Sequence, residues 1–174
     1  NSTVDTRILI SDDFSNQALY AIWRGGVLCY TLDESGPIAL NTAMLGLLAG
    51  NAFDSLFTET APVVLSTRPN RPPVVHWSGV HDVEVNIDDL GIDMIAEVDD
   101  RMARVLGMSL NVKLGIDLSF DGTTGELVVM VDFDPEQIEV EVPFNELAPG
   151  TEDVVKGQFS NVFSTLVDPL VGSL

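Results

Sequence analysis

Two histidines, His76 and His81, stand five positions apart, with Asp82 and Glu84 close behind them. Imidazole and carboxylate are zinc ligands, so a metal pair completed by Asp82 or Glu84 is the first chemistry to weigh. Ser78-Gly79 separates the two rings, however, and this reads as a turn carrying surface histidines. Acids recur in pairs: Asp88-Asp89, Asp99-Asp100, Asp132 with Asp134, Glu139 with Glu141. Paired carboxylates serve as acid and base in glycoside hydrolysis, but a chain with 27 Asp and Glu produces such neighbours by composition alone. Asp132, Asp134 and Glu136 alternate as hard oxygen ligands for calcium would, without the glycine that an EF-hand loop needs at its sixth position. Cys29 is the sole cysteine, which excludes an intrachain disulfide and a cysteine-based metal cluster. Within the apolar run Val27–Leu32 it reads as a small core residue, with no histidine partner nearby. No nucleophile–base pair, metal set or cofactor motif emerges, so the sequence reads as non-enzymatic and free of cofactors.

Charge narrows the partners. Eight Lys and Arg against 27 Asp and Glu give a net charge of −19. Nucleic acid is excluded as a partner, because backbone binding needs clustered cations that displace counterions. The same deficit argues against electrostatic binding to anionic membranes or lipid phosphates. Such a surface suits solubility in a salty or extracellular medium, and a secreted, periplasmic or cell-surface location is expected. At 174 residues the chain is read as one domain, long enough to bury a core. It begins at Asn1 and carries neither a signal peptide nor a run of 18 apolar residues, which reads as a processed or excised piece of a longer protein.

The elements that would position these side chains follow from periodicity. Val4–Ile10 reads as a strand. Ser11 is a good N-cap, with Asp12 and Asp13 in the first turn, for an amphipathic helix stopped at Gly25-Gly26. Val27–Leu32 is β-favouring, Thr42–Ala49 helical after Asn41, and a third helical piece lies around Ala52–Phe57. Short extended pieces follow at Pro62–Arg68 and Val74–Trp77. Val83, Val85 and Ile87 alternate with polar residues, and Leu90, Ile92, Met94, Ala96 and Val98 continue on the opposite parity. A period of two cannot change parity without a turn or bulge near Asp88-Asp89. Within Met102 to Phe120 the even positions from Leu106 onward are all apolar, and Asp121-Gly122 signals a hairpin into Leu127, Val129, Val131 and Phe133. Ile138, Val140 and Val142 form a third alternating strand. At ~3.3 Å per residue a strand from Met102 to Phe120 reaches about 60 Å, so it bends, at Gly107 or Gly115, or the fold is elongated. Thr151 then starts a helix whose Val155, Phe159, Val162, Phe163, Leu166, Leu170 and Leu174 form one apolar stripe, with Pro169 expected to kink its end.

A sheet apolar on one face must cover that face. The expected fold is α+β: a long, highly curved antiparallel sheet wrapped around amphipathic helices, the first and last helices lying along its concave side. Met94, Met102, Met108, Met130, Phe120, Phe159 and Phe163 are expected on the inner surface.

The stretch Ile8-Leu9-Ile10-Ser11-Asp12-Asp13-Phe14-Ser15-Asn16-Gln17-Ala18-Leu19-Tyr20-Ala21-Ile22-Trp23-Arg24-Gly25-Gly26-Val27-Leu28 resembles the opening of the C-terminal barrel in the bactericidal/permeability-increasing and lipopolysaccharide-binding protein family. Later elements follow in a similar order, through the meander to the closing helix and its Leu166-Val167-Asp168-Pro169-Leu170 turn. The resemblance implies a tubular lipid-binding half-barrel with an acyl-chain channel between sheet and helices. Its ligand-facing residues would be Leu106, Met108, Leu110, Val112, Leu114, Ile116 and Leu118 on the sheet, with Phe159, Val162, Phe163 and Leu166 on the closing helix. It implies binding and transfer, without catalysis, of a lipid or hydrophobic small molecule, with transient membrane contact. The family's barrel continues past the closing helix, whereas this chain ends at Leu174, and the basic tip of its endotoxin-binding members has no counterpart here. The alternative is an interaction domain with a filled core, pairing with a second barrel of its own polypeptide or as a homodimer.

Overall fold

The computed structural model describes residues 11–33, 40–57, 59–77 and 79–171, with the side chains of Asn51, Asp54, Val162 and residues 164–171 outside that description. The strand expected at Val4–Ile10 lies outside the described residues. The chain is α+β, built on one large, curved, unclosed antiparallel sheet of seven strands. Its spine is a hairpin of β4 (Val83–Val98) and β5 (Arg101–Phe120). Twenty residues at ~3.3 Å each make β5 about 65 Å long. Val98 pairs with Arg101 across Asp99 and Asp100, whose φ angles are 50° and 61°. Two consecutive left-handed residues make a type I′ turn, whose twist matches that of the strands it joins. Aspartate tolerates that backbone region better than most side chains.

Shorter strands flank the spine in pairs. On one side β2 (Val63–Pro69) pairs with Leu90–Ala96 of β4 and β3 (Val74–His76) with Glu84–Asn86, while β1 (Thr31–Leu32) pairs with β2. On the other, β6 (Leu127–Asp132) pairs with Gly115–Phe120 of β5, and β7 (Glu139–Phe144) pairs with Gly107–Asn111. The β5–β6 hairpin forms at the expected place. Its left-handed residue is Gly125 (φ 75°), and the Asp121 carboxylate accepts from the Thr123 and Thr124 amides.

The parity switch falls at Asp88-Asp89, as the alternation requires. Ile87 faces Val112 and Leu90 faces Leu110, so two residues of β4 stand opposite Asn111 alone. Asp89 takes φ 55°, and its carboxylate accepts from the Ser109 hydroxyl at 2.7 Å and the Asn70 amide at 3.1 Å. A second bulge lies on β5: Met94 faces Leu106 and Ile95 faces Arg104, leaving Val105 as the extra residue. Val105 is buried beside Leu106, and every side chain before it is inverted. Met102, expected inside, is therefore 60% exposed. Met130 also departs from expectation. It pairs with Asp117, and so faces the outer surface, exposed.

α1 (Asp12–Arg24) forms as its capping residues dictate. The Ser11 hydroxyl accepts from the Phe14 amide. At the other end the Val27 and Gly26 amides reach back to the Ile22 and Trp23 carbonyls, a Schellman closure that needs Gly26 at φ 72°. Yet α1 buries none of its residues. Instead of lying along the concave side it is fastened to the sheet margin: the Asn16 side chain bonds both the amide and the carbonyl of Val75, and the Trp23 indole donates to the Pro69 carbonyl. The cover expected of α1 comes from α2 (Thr42–Ala49), apolar nearly all round and started by Asn41, together with Phe53 of the short α3 (Asn51–Asp54). α4 (Glu152–Val171) runs through Pro169 and joins α2 over the sheet. Its start is tied to the end of β7 by Asn145, whose side-chain amide donates to the Ala148 carbonyl and Thr151 hydroxyl.

Cys29, expected in the core, is exposed. Of the run Val27–Leu32 only Thr31 and Leu32 form a strand, at the margin of the sheet, while Leu28 and Tyr30 are tied to Thr67 by hydrogen bonds and Cys29 stays at the surface.

Candidate functional site

The inner face of the sheet divides into a closed half and an open half. In the closed half Leu65, Ile92, Met94, Ala96, Leu106, Met108, Leu110 and Val112 are buried under Leu45, Leu48, Phe53, Val155 and Phe159 in one continuous core. Fully burying such side chains contributes roughly 1.5–3 kcal/mol each. Ring packing extends it: Phe159 stacks on Phe163 with centroids 5.1 Å apart, and Phe163 meets Phe133 at 5.8 Å.

Beyond Val112 the cover ends while the apolar row continues. Leu114 and Ile116 are half-buried, Leu118 is 42% exposed and Phe120 70%. The register places Val83 beside Ile116, Val131 beside Ile116, Val129 beside Leu118 and Leu127 beside Phe120, all on this same face. Leu127, Val129 and Val131 are exposed. The result is an apolar floor three strands wide, continuous with the core and open to solvent.

Of the side chains expected to face a ligand, Leu106, Met108, Leu110, Val112 and Phe159 are packed together in the closed half. Phe163 is half-buried against them, whereas Leu114, Ile116 and Leu118 line the open half. The side chains of Val162 and Leu166 lie outside the described residues. Sequence reasoning treated the even positions of β5 as one uniform row. The division arises from where α2 and α4 end, a tertiary fact with no local signal. The same reasoning placed β6 as an alternating strand, whereas Val128 and Met130 make it apolar on the outer face as well.

The outer face carries the titratable groups. His81 Nδ1 lies 3.0 Å from Asp117 Oδ2, and Nε2 lies 3.6 Å from Asp132 Oδ2. The hydrogen bond to Asp117 raises the His81 pKa above its ordinary value, against the pull of desolvation, with the charges of Asp117, Asp132 and Glu84 adding to the rise. The same bond, with the Asp82 amide, holds Asp117 below the usual carboxylate range. A pocket of about 100 Å³ opens here, lined by His81, Glu84, Lys113, Asp132, Asp134 and Gln137, on the opposite side of the sheet from the apolar floor. His76 is exposed on β3 and contributes nothing to it. Among the described residues no three His, Cys, Asp or Glu side chains are arranged to hold a metal ion.

The paired acids have structural work instead. Asp89 closes the β4 bulge and Asp99-Asp100 form the turn. Asp134 caps the short 3-10 helix Pro135–Gln137, its pKa lowered by bonds from the Gln137 side chain and the Glu136 amide. Glu139 accepts from Asn111. Gly107 and Gly115, expected to bend β5, make room for side chains crossing the outer face. A Cβ at Gly107 would run into the Arg104 guanidinium, which pairs with Asp93 and lies 4.5 Å from the Phe144 ring centroid. Among the described residues no helix is long and apolar enough to cross a membrane.

No protein-family model matches the chain, and no curated protein matches it. Three solved chains match in structure. One is described as the crystal structure of lipopolysaccharide binding protein, at a TM-score of 0.61 and 11% sequence identity. The match covers 94% of this chain and 37% of that one, so this chain spans little more than a third of its neighbour's length. At that identity the likeness is one of fold alone: a curved, unclosed antiparallel sheet with helices along it.

Proposed function

We propose that this chain is a non-enzymatic carrier that binds a lipid or another elongated hydrophobic ligand along the open half of the inner face. The observation that carries the reading is the apolar floor of Leu118, Phe120, Leu127, Val129 and Val131, exposed to solvent and continuous through the half-buried Ile116 with the buried core. Exposed apolar surface of this extent marks a binding site. The fold neighbour, named for binding lipopolysaccharide, supports a lipid over other apolar ligands. The charge of −19 favours an uncharged or zwitterionic head group over a phosphate-rich one. A secreted, periplasmic or cell-surface location and a place as one barrel of a longer polypeptide belong to the same reading, the second supported by the greater length of the neighbour.

Native mass spectrometry and organic extraction of the purified chain test it. Co-purified lipid is expected, and Leu118→Arg should reduce it several-fold without lowering the melting temperature. A chain that is empty and binds nothing from a panel of neutral, zwitterionic and anionic lipids would overturn the proposal.

A further inference from the structure

β6 is unlike the other strands of the sheet. Leu127-Val128-Val129-Met130-Val131 is apolar at consecutive positions, and both faces are exposed. Strands that are apolar on both faces are ordinarily covered on both. Margins left open are ordinarily guarded by charge or proline, and β6 has neither before Asp132. It also ends the strand order β1-β2-β4-β5-β6, so its outer margin faces no strand among the described residues.

The backbone there is equally available. Asp121 donates its amide to the Glu126 carbonyl at 2.9 Å, which makes these two a hydrogen-bonded pair. Alternation along an antiparallel ladder then makes Leu127, Val129 and Val131 the residues not bonded to β5, with N–H and C=O directed along the free margin. Leu118, opposite Val129, obeys the same phase: its amide points away from β6 and donates to Asp82 Oδ2 at 2.8 Å.

The charge around this hairpin defines the occupant. No Lys or Arg occurs between Leu114 and Val155, and Asp117, Asp121, Glu126 and Asp132 surround β6. Antiparallel pairing of two copies would bring the Glu126 end of one beside the Asp132 end of the other. A nucleic acid or phosphate surface is repelled. The geometry points to strand addition at β6 by an extended basic segment of a partner protein, apolar on the side beside Leu127, Val129 and Val131 and carrying Lys or Arg on the side beside Asp132 and Asp117. Backbone bonds give such a complex its affinity and the alternating side chains its specificity. Long basic side chains would also lay their methylene stems over Val128 and Met130. It shares Leu127, Val129 and Val131 with the apolar floor but is carried by the backbone groups of the free margin, so it does not require a lipid to occupy the floor.

The test uses the intact chain and three labelled peptides: alternating Val and Lys, alternating Val and Glu, and the Val–Lys peptide N-methylated at alternate residues along one margin. Only the unmodified Val–Lys peptide should bind saturably by fluorescence anisotropy. Val129→Pro should weaken it by roughly tenfold or more while leaving the melting temperature unchanged, because proline there removes an amide directed away from β5. Failure of the Val–Lys peptide to bind overturns the proposal. Equal binding by the N-methylated peptide or by Val129→Pro also overturns it, since attraction to a polyanion alone would then explain the result. A doubled sedimentation mass, with the Leu127, Val129 and Val131 amides already protected in the chain alone, would assign the margin to a second copy instead.

Discussion

The imidazole of His81 lies over Gly115, where any side chain would stand in its place: a Cβ there would be 2.6 Å from the ring. From that position the ring reaches Asp117 on β5 and Asp132 on β6, and so ties the start of β4 to both.

That contact predicts a pH-dependent share of stability. A histidine whose pKa is raised in the folded chain stabilises fully below its unfolded value, about 6.5, and loses the effect as pH rises through the folded value. Asp117, lowered, stabilises above about 3.9 and loses the effect as pH falls through its folded value. The two describe one interaction seen from either partner. Thermal melts of the wild type and His81→Gln should therefore differ most at about pH 5–6 and converge as pH rises through the folded value of His81. A difference constant across pH would show that the ring acts by packing alone.

Gly115→Ala should displace the ring and remove the same pH-dependent share. Combined with His81→Gln it should add little to the loss, since the two substitutions act on one contact. A double variant whose melting temperature falls by the sum of the two would separate them.

The Asp99-Asp100 turn holds two like charges in left-handed backbone. Asp99→Asn with Asp100→Gly supplies the residues that type I′ turns favour, and should stabilise the chain by about 0.5–1 kcal/mol in urea unfolding. A lower midpoint would mean that the aspartates make contacts that outweigh their strain.

The division of the inner face is measurable by truncation. Leu110→Ala, in the closed half, should cost about 2–5 kcal/mol, because the side chain is fully buried. Leu118→Ala, in the open half, should stay within about 0.5 kcal/mol in the absence of ligand. Similar losses at both positions would indicate that the floor is covered in solution.

Asn16 substitutes for a strand at the margin of β3, accepting from the Val75 amide at 2.6 Å and donating to its carbonyl at 3.2 Å. Asn16→Ala should speed hydrogen exchange in α1 and at Val75 while the amides of the closed half keep their protection. Unchanged exchange in α1 would assign its anchorage to Trp23 alone.

Much of this was legible in the sequence, for reasons specific to each element. Ser11 and Asn41 announced helix starts because their side chains satisfy amides that a helix leaves open. The change of parity at Asp88-Asp89 required a bulge because strand geometry admits no other way to keep both apolar rows inside. Val105 gave no such warning. It is one apolar residue among alternating ones, and only its pairing with β4 shows it to be the extra member, which is why Met102 was placed on the wrong face. The roles of α1 and α2 were exchanged for a related reason. Amphipathicity marks a helix with one wet side, so the stripe on α1 drew the inference of burial, while α2, apolar nearly throughout, lies deepest. The open half of the floor was invisible because nothing in β5 itself records where its cover stops.

The extra residue at Val105 on one strand and the extra residue at Asp88-Asp89 on the other offset each other. The two long strands consequently leave the buried stretch in the same phase in which they entered it. A deletion at either place would thus do more than shorten a strand. It would throw everything distal to it one step out of phase, turning the oily row toward water and the carboxylates toward the lumen, so this region should tolerate substitution far better than a change in length.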